Sequence, residues 1–273
     1  MKKTLLITDL DFWKADIGSR QRILKMVQYL NIYTNITILY LKKITKTDKE
    51  KILKLNLQNV VSLLDTKIIQ SDLESTCITK TKFLENFYSH DLKTRFIKYL
   101  SLNHYDNLII EYIKLDYLLN DIHDIYCTIV DTHDLMSRRT ISYSKYNEKP
   151  SIVFENLKQE IDILKHYDYV LSIQKNEYET LINEIEKNKI LLVQHAVDIN
   201  QKSHINQKVK NIVFVSGPAN LQHIVWFIKN IWIYFQDNKT VHLNIYGTVC
   251  SKLQNFKNYK QLYLKGPVEY LDD

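Results

Sequence analysis

Glycine and proline are scarce in this 273-residue chain, at four and three copies, and cysteine occurs only three times. So few backbone breakers exclude a flexible linker, a collagen-like repeat and a low-complexity tail. Cys77, Cys127 and Cys250 lie far apart, with no Cys-x-x-Cys pair and no histidine at ligand spacing. That excludes a zinc module and a disulfide framework, and predicts three buried thiols in a reducing compartment. Long hydrophobic runs are also missing. The most apolar stretch, Ile224 to Phe235, falls well short of the ~20 residues of a membrane span. The apolar run after Met1-Lys-Lys is too short for a signal peptide and reads as a buried strand. A net charge of +6 comes without any block of Lys and Arg. It permits contact with phosphates or with the inner face of a membrane, and gives no nucleic-acid signature. A cytoplasmic protein is expected.

What is present describes an ordinary globular chain, 45% hydrophobic and 25% charged, in which short apolar runs alternate with segments of helical period. Leu5-Leu6-Ile7 reads as a first strand. Ser19 stands as the N-cap of a helix carrying Ile23, Met26, Val27 and Leu30. Strands follow at Ile36–Tyr40, Val60–Leu63, Leu108–Ile110, Thr128–Val130, Tyr169–Ile173 and Ile190–Val193, with helices around Phe154–Leu164 and Glu177–Ile185. After a polar stretch from Asp198 to Lys210 the alternation restarts: strand Asn211–Val215, helix Asn220–Phe235, strand Val241–Tyr246 and a strand opening at Leu262. Apolar positions nearly all round the Asn220–Phe235 helix predict a buried crossover that carries Trp226, Phe227, Trp232, Tyr234 and Phe235. This order implies βαβ crossovers and parallel sheets: a complete Rossmann-like domain over residues 1–205 and an incomplete second one over 206–273.

The run from Cys127 to Arg139 is the most informative. A β-branched stretch stops in Asp131, Thr132, His133 and Asp134, and Arg138 and Arg139 follow. Strand ends of an open parallel sheet point into the crevice where ligands bind, and an imidazole among carboxylates and guanidinium groups suits proton transfer or anion recognition. The alternative is that His133 and Asp134 only cap the next helix. Upstream, Asp16-Ile-Gly18-Ser19-Arg20-Gln-Arg22 joins a glycine to a helix N-terminus that would offer N–H groups to a phosphate, with Arg20 and Arg22 as a clamp. The alternative there is a capped helix with its arginines in solvent.

Taken in order, these segments resemble the GT-B glycosyltransferases, specifically the family 4-like group that builds bacterial surface polysaccharides. Val130-Asp-Thr-His-Asp-Leu135 with Arg138-Arg139 resembles that family's Asp-x-His-Asp-Leu segment and its following arginine. Glu160, Tyr167-Asp168-Tyr-Val-Leu-Ser172 and Glu177 match a further signature, whose side chains are expected to serve helix packing, strand start and turn. His195-Ala-Val-Asp198 stands at the crossover into the second domain, where the family has Asn-Gly-Val-Asp. Phe214-Val-Ser-Gly217, Asn220, Leu243-Asn-Ile-Tyr-Gly247 and Lys265-Gly-Pro-Val268 echo its second-domain motifs.

The resemblance implies a GT-B-like α/β fold and transfer of a sugar from a nucleotide-sugar donor to a cell-surface glycan or lipid-linked precursor, without metal or other cofactor. His133 would line the interdomain cleft and contact the transferred sugar or polarise the acceptor hydroxyl, with Asp131 or Asp134 orienting its ring. Gly18, Ser19, Arg20, Arg22 and Arg138 would face the acceptor or phosphates, and Gly217, Asn220 and Gly247 the donor. The family's later glycine loop and glutamate-bearing helix lie beyond Asp273. The chain is therefore read as a truncated, frameshifted or split gene product, and a non-catalytic remnant or interaction module stands as an alternative. A second alternative is a Mg²⁺-dependent phosphatase with Asp9 as nucleophile and Asp11 as general acid.

Overall fold

A computed structural model describes residues 1–65, 87–119, 122, 127–145, 154, 156–196 and 210–268. It divides into two compact units, Met1–Val197 and Asp198–Asp273. The expected boundary at 205/206 and Cys77 fall outside the described residues.

In the first unit, seven strands form one parallel sheet: β1 (Lys3–Thr8), β2 (Asn35–Tyr40), β3 (Val60–Ser62), β4 (Asn107–Glu111), β5 (Thr128–Asp131), β6 (Tyr169–Ser172) and β7 (Ile190–Leu192), in the order β3-β2-β1-β4-β5-β6-β7. Leu5, Leu6 and Ile7 are consecutive and all fully buried, as a strand covered on both faces requires. The chain builds outward from β1 to β3 and then returns to β1's other side with β4. This reversal opens a crevice at the carboxyl ends of β1 and β4.

Helices α1 (Gly18–Tyr33), α2 (Lys46–Lys54), α3 (His90–Leu102), α4 (Met136–Ser144), α5 (Leu157–Leu164) and α6 (Lys175–Leu181) accompany the sheet. The start of α1 departs from expectation. Its N-cap is Ile17, extended at φ −135° and ψ 158°, and Ser19 lies inside the first turn. The Gln21 N–H donates to the Ile17 carbonyl at 3.0 Å, so the helix closes two residues earlier than a serine cap would allow, and no side chain caps it. By contrast, Thr45 and Asp48 make a reciprocal capping box on α2. Asn156 caps α5, which delays that helix to Leu157 and leaves Phe154 buried ahead of it.

In the second unit, β8 (Asn211–Val215), β9 (His242–Tyr246) and β10 (Leu262–Gly266) form a parallel sheet in the order β10-β9-β8. The expected helix Asn220–Phe235 is shorter: α7 spans Leu221–Asn230, and a single 3₁₀ turn, Trp232–Tyr234, follows. It is also less buried than its composition suggests. Ile224, Ile228 and Trp232 face the core, while Trp226 is 59% exposed and Tyr234 79%. Trp232 sets the break, because its ring is buried and its Nε1–H donates to the Lys260 carbonyl at 3.1 Å. Of the thiols, Cys250 is buried and donates to the Ile245 carbonyl at 3.1 Å, whereas Cys127 is only partly buried. Among the described residues no helix is long and apolar enough to cross a membrane.

Gly247 follows β9 with φ +100°, and a Cβ there would lie 2.2 Å from the Ser216 carbonyl oxygen. A left-handed φ and a backbone clash add together, so Gly247→Ala is expected to destabilise the second unit by about 3 kcal/mol or more. Urea unfolding followed by tryptophan fluorescence would measure this; a loss under about 1 kcal/mol would contradict it.

Candidate functional site

β4 and β5 pair in register so that Glu111 stands beside Asp131 at their carboxyl ends, both fully buried. From the second turn of α1, the buried Arg22 guanidinium donates to both Asp131 oxygens, at 2.6 and 3.0 Å, and its Nη1 donates to the Val193 carbonyl after β7 at 2.8 Å. One bidentate pair thus ties α1, β5 and the end of β7 together.

His133 sits in the turn after β5. Its Nε2 lies 2.6 Å from Glu111 Oε2 and 4.0 Å from Asp131 Oδ2. The ring is buried, and the Tyr112 ring stacks on it with centroids 4.0 Å apart and an interplanar angle of 5°. Both stacking residues occupy the left-handed region, His133 at φ 58° and Tyr112 at φ 72°. Such backbone costs roughly 1–3 kcal/mol per residue and persists only where the surroundings impose it. Buried carboxylates fix the chain just after His133. Glu177 accepts from the Leu135 N–H at 2.8 Å, and Glu160 from the Met136 and Ser137 N–H groups at 2.7 and 2.9 Å. Glutamates borrowed from α5 and α6 therefore satisfy the open N-terminus of α4 in place of a local cap. Ser172 Oγ donates within its own turn, to the Gln174 carbonyl, and Asp168 accepts from the Thr128 N–H at the start of β5.

The electrostatics follow from this burial. Glu111 is pushed up to about 7, first by burial and then by the Asp131 charge, against the opposing pull of His133 and Arg22. Burial works against the charged form of His133, but its hydrogen bond to Glu111 and the charges of Glu111 and Asp131 raise it overall. Asp134 is raised by burial, with Arg139 and His133 opposing. Glu111, Asp131 and His133 offer ligand atoms within 4.8 Å of one another. Arg22 already covers both Asp131 oxygens and Glu111 closes directly on His133, so the donor set is that of a self-neutralised ion network and fits a divalent cation poorly.

A pocket of about 440 Å³ opens in front of this network, lined among others by Gly18, Ser19, Tyr112, Lys114, His133, Asp134, Arg139 and His195. Its volume suits a small polar ligand. Lys114 reaches it while bonded to Asp9 at 2.6 Å, and Arg139 stands 3.6 Å from Asp134. His195 Nε2 lies 3.0 Å from the Gly18 carbonyl. The uncapped start of α1 adds backbone N–H groups and a partial positive charge.

Of the residues expected from sequence, Gly18, Ser19, Arg22, His133 and Asp134 meet at this pocket. Others do not. Arg20 pairs with Asp11 and Asp16, and Arg22 is consumed by Asp131, so neither is the free phosphate clamp that was expected. Arg138 turns away and donates to the Asn176 carbonyl and to Thr180. His133 is oriented by Glu111, which sequence reasoning passed over, and not by Asp131 or Asp134. Asp9 is bonded to Lys114 and Asp11 to Lys14 and Arg20, so both carboxylates of the phosphatase reading are held in ion pairs. In the second unit, Gly217 and Gly247 lie at the carboxyl ends of β8 and β9. Asn220 Nδ2 donates to Ser216 Oγ at 2.9 Å, and the Gly247 N–H to the Gly266 carbonyl at 2.8 Å.

No protein-family model and no curated protein matches the sequence. Solved structures do. TarM matches with a TM-score of 0.68 at 12% identity, over 98% of this chain and 77% of that one. The pneumococcal O-GlcNAc transferase GtfA, in complex with UDP and GlcNAc, gives 0.62 at 12%, over 98% and 76%. UDP-GlcNAc 2-epimerase from Neisseria meningitidis, bound to UDP-GlcNAc, gives 0.54 at 12%, over 98% and 73%. The fold is thus the GT-B type, two successive Rossmann-like units, as the order of elements implied.

Proposed function

We propose that the protein is a glycosyltransferase that moves a sugar from a nucleotide-sugar donor to a hydroxyl of a cell-surface glycan or lipid-linked precursor on the cytoplasmic side. The observation that carries this is the placement of His133. It is a strained, buried imidazole, held by a carboxylate at the switch point of the first unit, facing a polar pocket in a fold shared with UDP-sugar enzymes. In this reading the acceptor oxygen attacks the anomeric carbon as the bond to the nucleoside diphosphate breaks. His133 takes a hydrogen bond from a reacting hydroxyl, while Lys114, Arg139 and the α1 N-terminus favour negative charge on a ligand. Gly217, Asn220 and Gly247 would face the donor. No protein nucleophile or metal is required.

Calorimetric titration with UDP-, GDP- and dTDP-hexoses tests the donor half of the proposal. Saturable binding of at least one of them in the micromolar to millimolar range is expected. Failure of all three, or Mg²⁺-dependent release of phosphate from p-nitrophenyl phosphate, would count against it.

A further inference from the structure

We infer that Glu111 is the positioning residue of this site, and that Glu111 and His133 form one proton-sharing pair that sets which way His133 Nδ1 hydrogen-bonds toward the pocket. The geometry leaves little choice. Nε2 and Oε2 are 2.6 Å apart with both groups buried, and the second oxygen of Glu111, Oε1, is buried without a hydrogen-bond partner. Two acceptors cannot sit at that distance, so a proton lies between them in every populated state.

With one proton in the pair, it bridges Nε2 and Oε2, and Nδ1 is a bare acceptor. A second proton leaves the bridge in place whether the charges are carboxylate and imidazolium or both groups are neutral; on the enclosed Oε1 it would be a donor without an acceptor, so it goes to Nδ1. The pair therefore titrates as a unit, and what changes at the pocket is Nδ1: a donor on the acidic side, an acceptor on the basic side. Asp131, one of the two carboxylates the sequence offered for this task, cannot perform it because Arg22 holds both its oxygens.

The groups facing the pair are Asp131 from β5, Arg22 from α1, Asp134 from the turn and the Tyr112 ring. Arg22 and Asp131 cancel, so the surroundings favour the added proton mainly through Glu111 itself. Tyr112, stacked on the ring with its own backbone fixed, prevents the imidazole from rotating out of the contact. For the reaction, this pair would give His133 the acceptor form that a hydroxyl proton needs only above the pair's midpoint. That consequence rests on the transferase reading; the proton placement does not.

The test is a long-range ¹H–¹⁵N spectrum of the full chain labelled at its nine histidines, followed from pH 5 to 9, with His133→Asn identifying the signal. Nε2 of His133 should stay protonated throughout, and Nδ1 should titrate above the ~6.5 of an ordinary histidine. Glu111→Gln should lower that midpoint by a unit or more, a tenfold or larger loss of proton affinity. It should move the pH limb of kcat for donor hydrolysis in parallel while leaving KM nearly unchanged. A titrating Nε2, or an unmoved midpoint in Glu111→Gln, overturns the inference. If Glu111→Gln does not fold, the wild-type spectrum decides by which nitrogen titrates. A spectrum as expected from a protein that turns over no nucleotide sugar would uphold the pair and refute the transferase reading.

Discussion

Arg22→Ala is expected to lower the stability of the first unit by about 3–5 kcal/mol, the usual range when one partner of a buried ion pair is removed. Asp131 is fully buried, and Arg22 supplies both of its guanidinium hydrogen bonds as well as one to the Val193 carbonyl. Truncation would leave a carboxylate without its counter-ion beside a second buried carboxyl, Glu111. Asp131 would have to take up a proton or draw in water, and the tie from α1 to the end of β7 would be lost with it. Arg22→Lys should rescue only a small part, since an ammonium cannot span both oxygens and reach the carbonyl as well. Urea midpoints of the three proteins measure this. A loss under about 1 kcal/mol for Arg22→Ala would mean that the network is not what holds the switch point together.

The second large effect concerns turnover. His133→Ala and His133→Asn are expected to reduce transfer by roughly 10²–10⁴-fold, the range of a positioned proton-transfer group. Their stabilities should differ from each other in an informative way. Alanine leaves Glu111 buried beside a cavity, which costs about 1–3 kcal/mol for an unsatisfied polar group. The cost is limited because that carboxyl, already up at about 7, readily becomes neutral. Asparagine tolerates the left-handed backbone of this position better than most residues and should stay near wild-type stability. Loss of turnover in a well-folded Asn variant would isolate the chemistry from the fold. Retained turnover there would remove His133 from the mechanism.

Much of this architecture could be read from the residues, and the reasons differ by element. Strands such as Leu5-Leu6-Ile7 and Thr128-Ile129-Val130 announced themselves because a parallel strand buried on both faces must be continuously apolar. The turn holding His133 was visible because a polar cluster breaks that pattern abruptly. Glu111 shows the same signature, a carboxylate ending the apolar run Leu108-Ile109-Ile110, but the pairing register that sets it beside Asp131 is a long-range fact. Tyr112 carries no local mark at all, since its left-handed backbone follows from tertiary packing. The arginines misled for a related reason. Arg20 and Arg22 look like a phosphate clamp in one dimension, yet the partners that occupy them, Asp11 and Asp131, are brought there only by the fold. In α7 the aromatic run suggested burial all round, whereas a three-stranded sheet gives it a single face to cover.

The decisive measurement is product analysis after incubating the chain with UDP-, GDP- and dTDP-hexoses, with water serving as the surrogate acceptor. Free nucleoside diphosphate and free sugar are expected to accumulate in equal amounts with at least one donor, and His133→Asn is expected to abolish both. A sugar isomerised on an intact nucleotide, or no reaction with any of the three donors, would contradict the transferase reading.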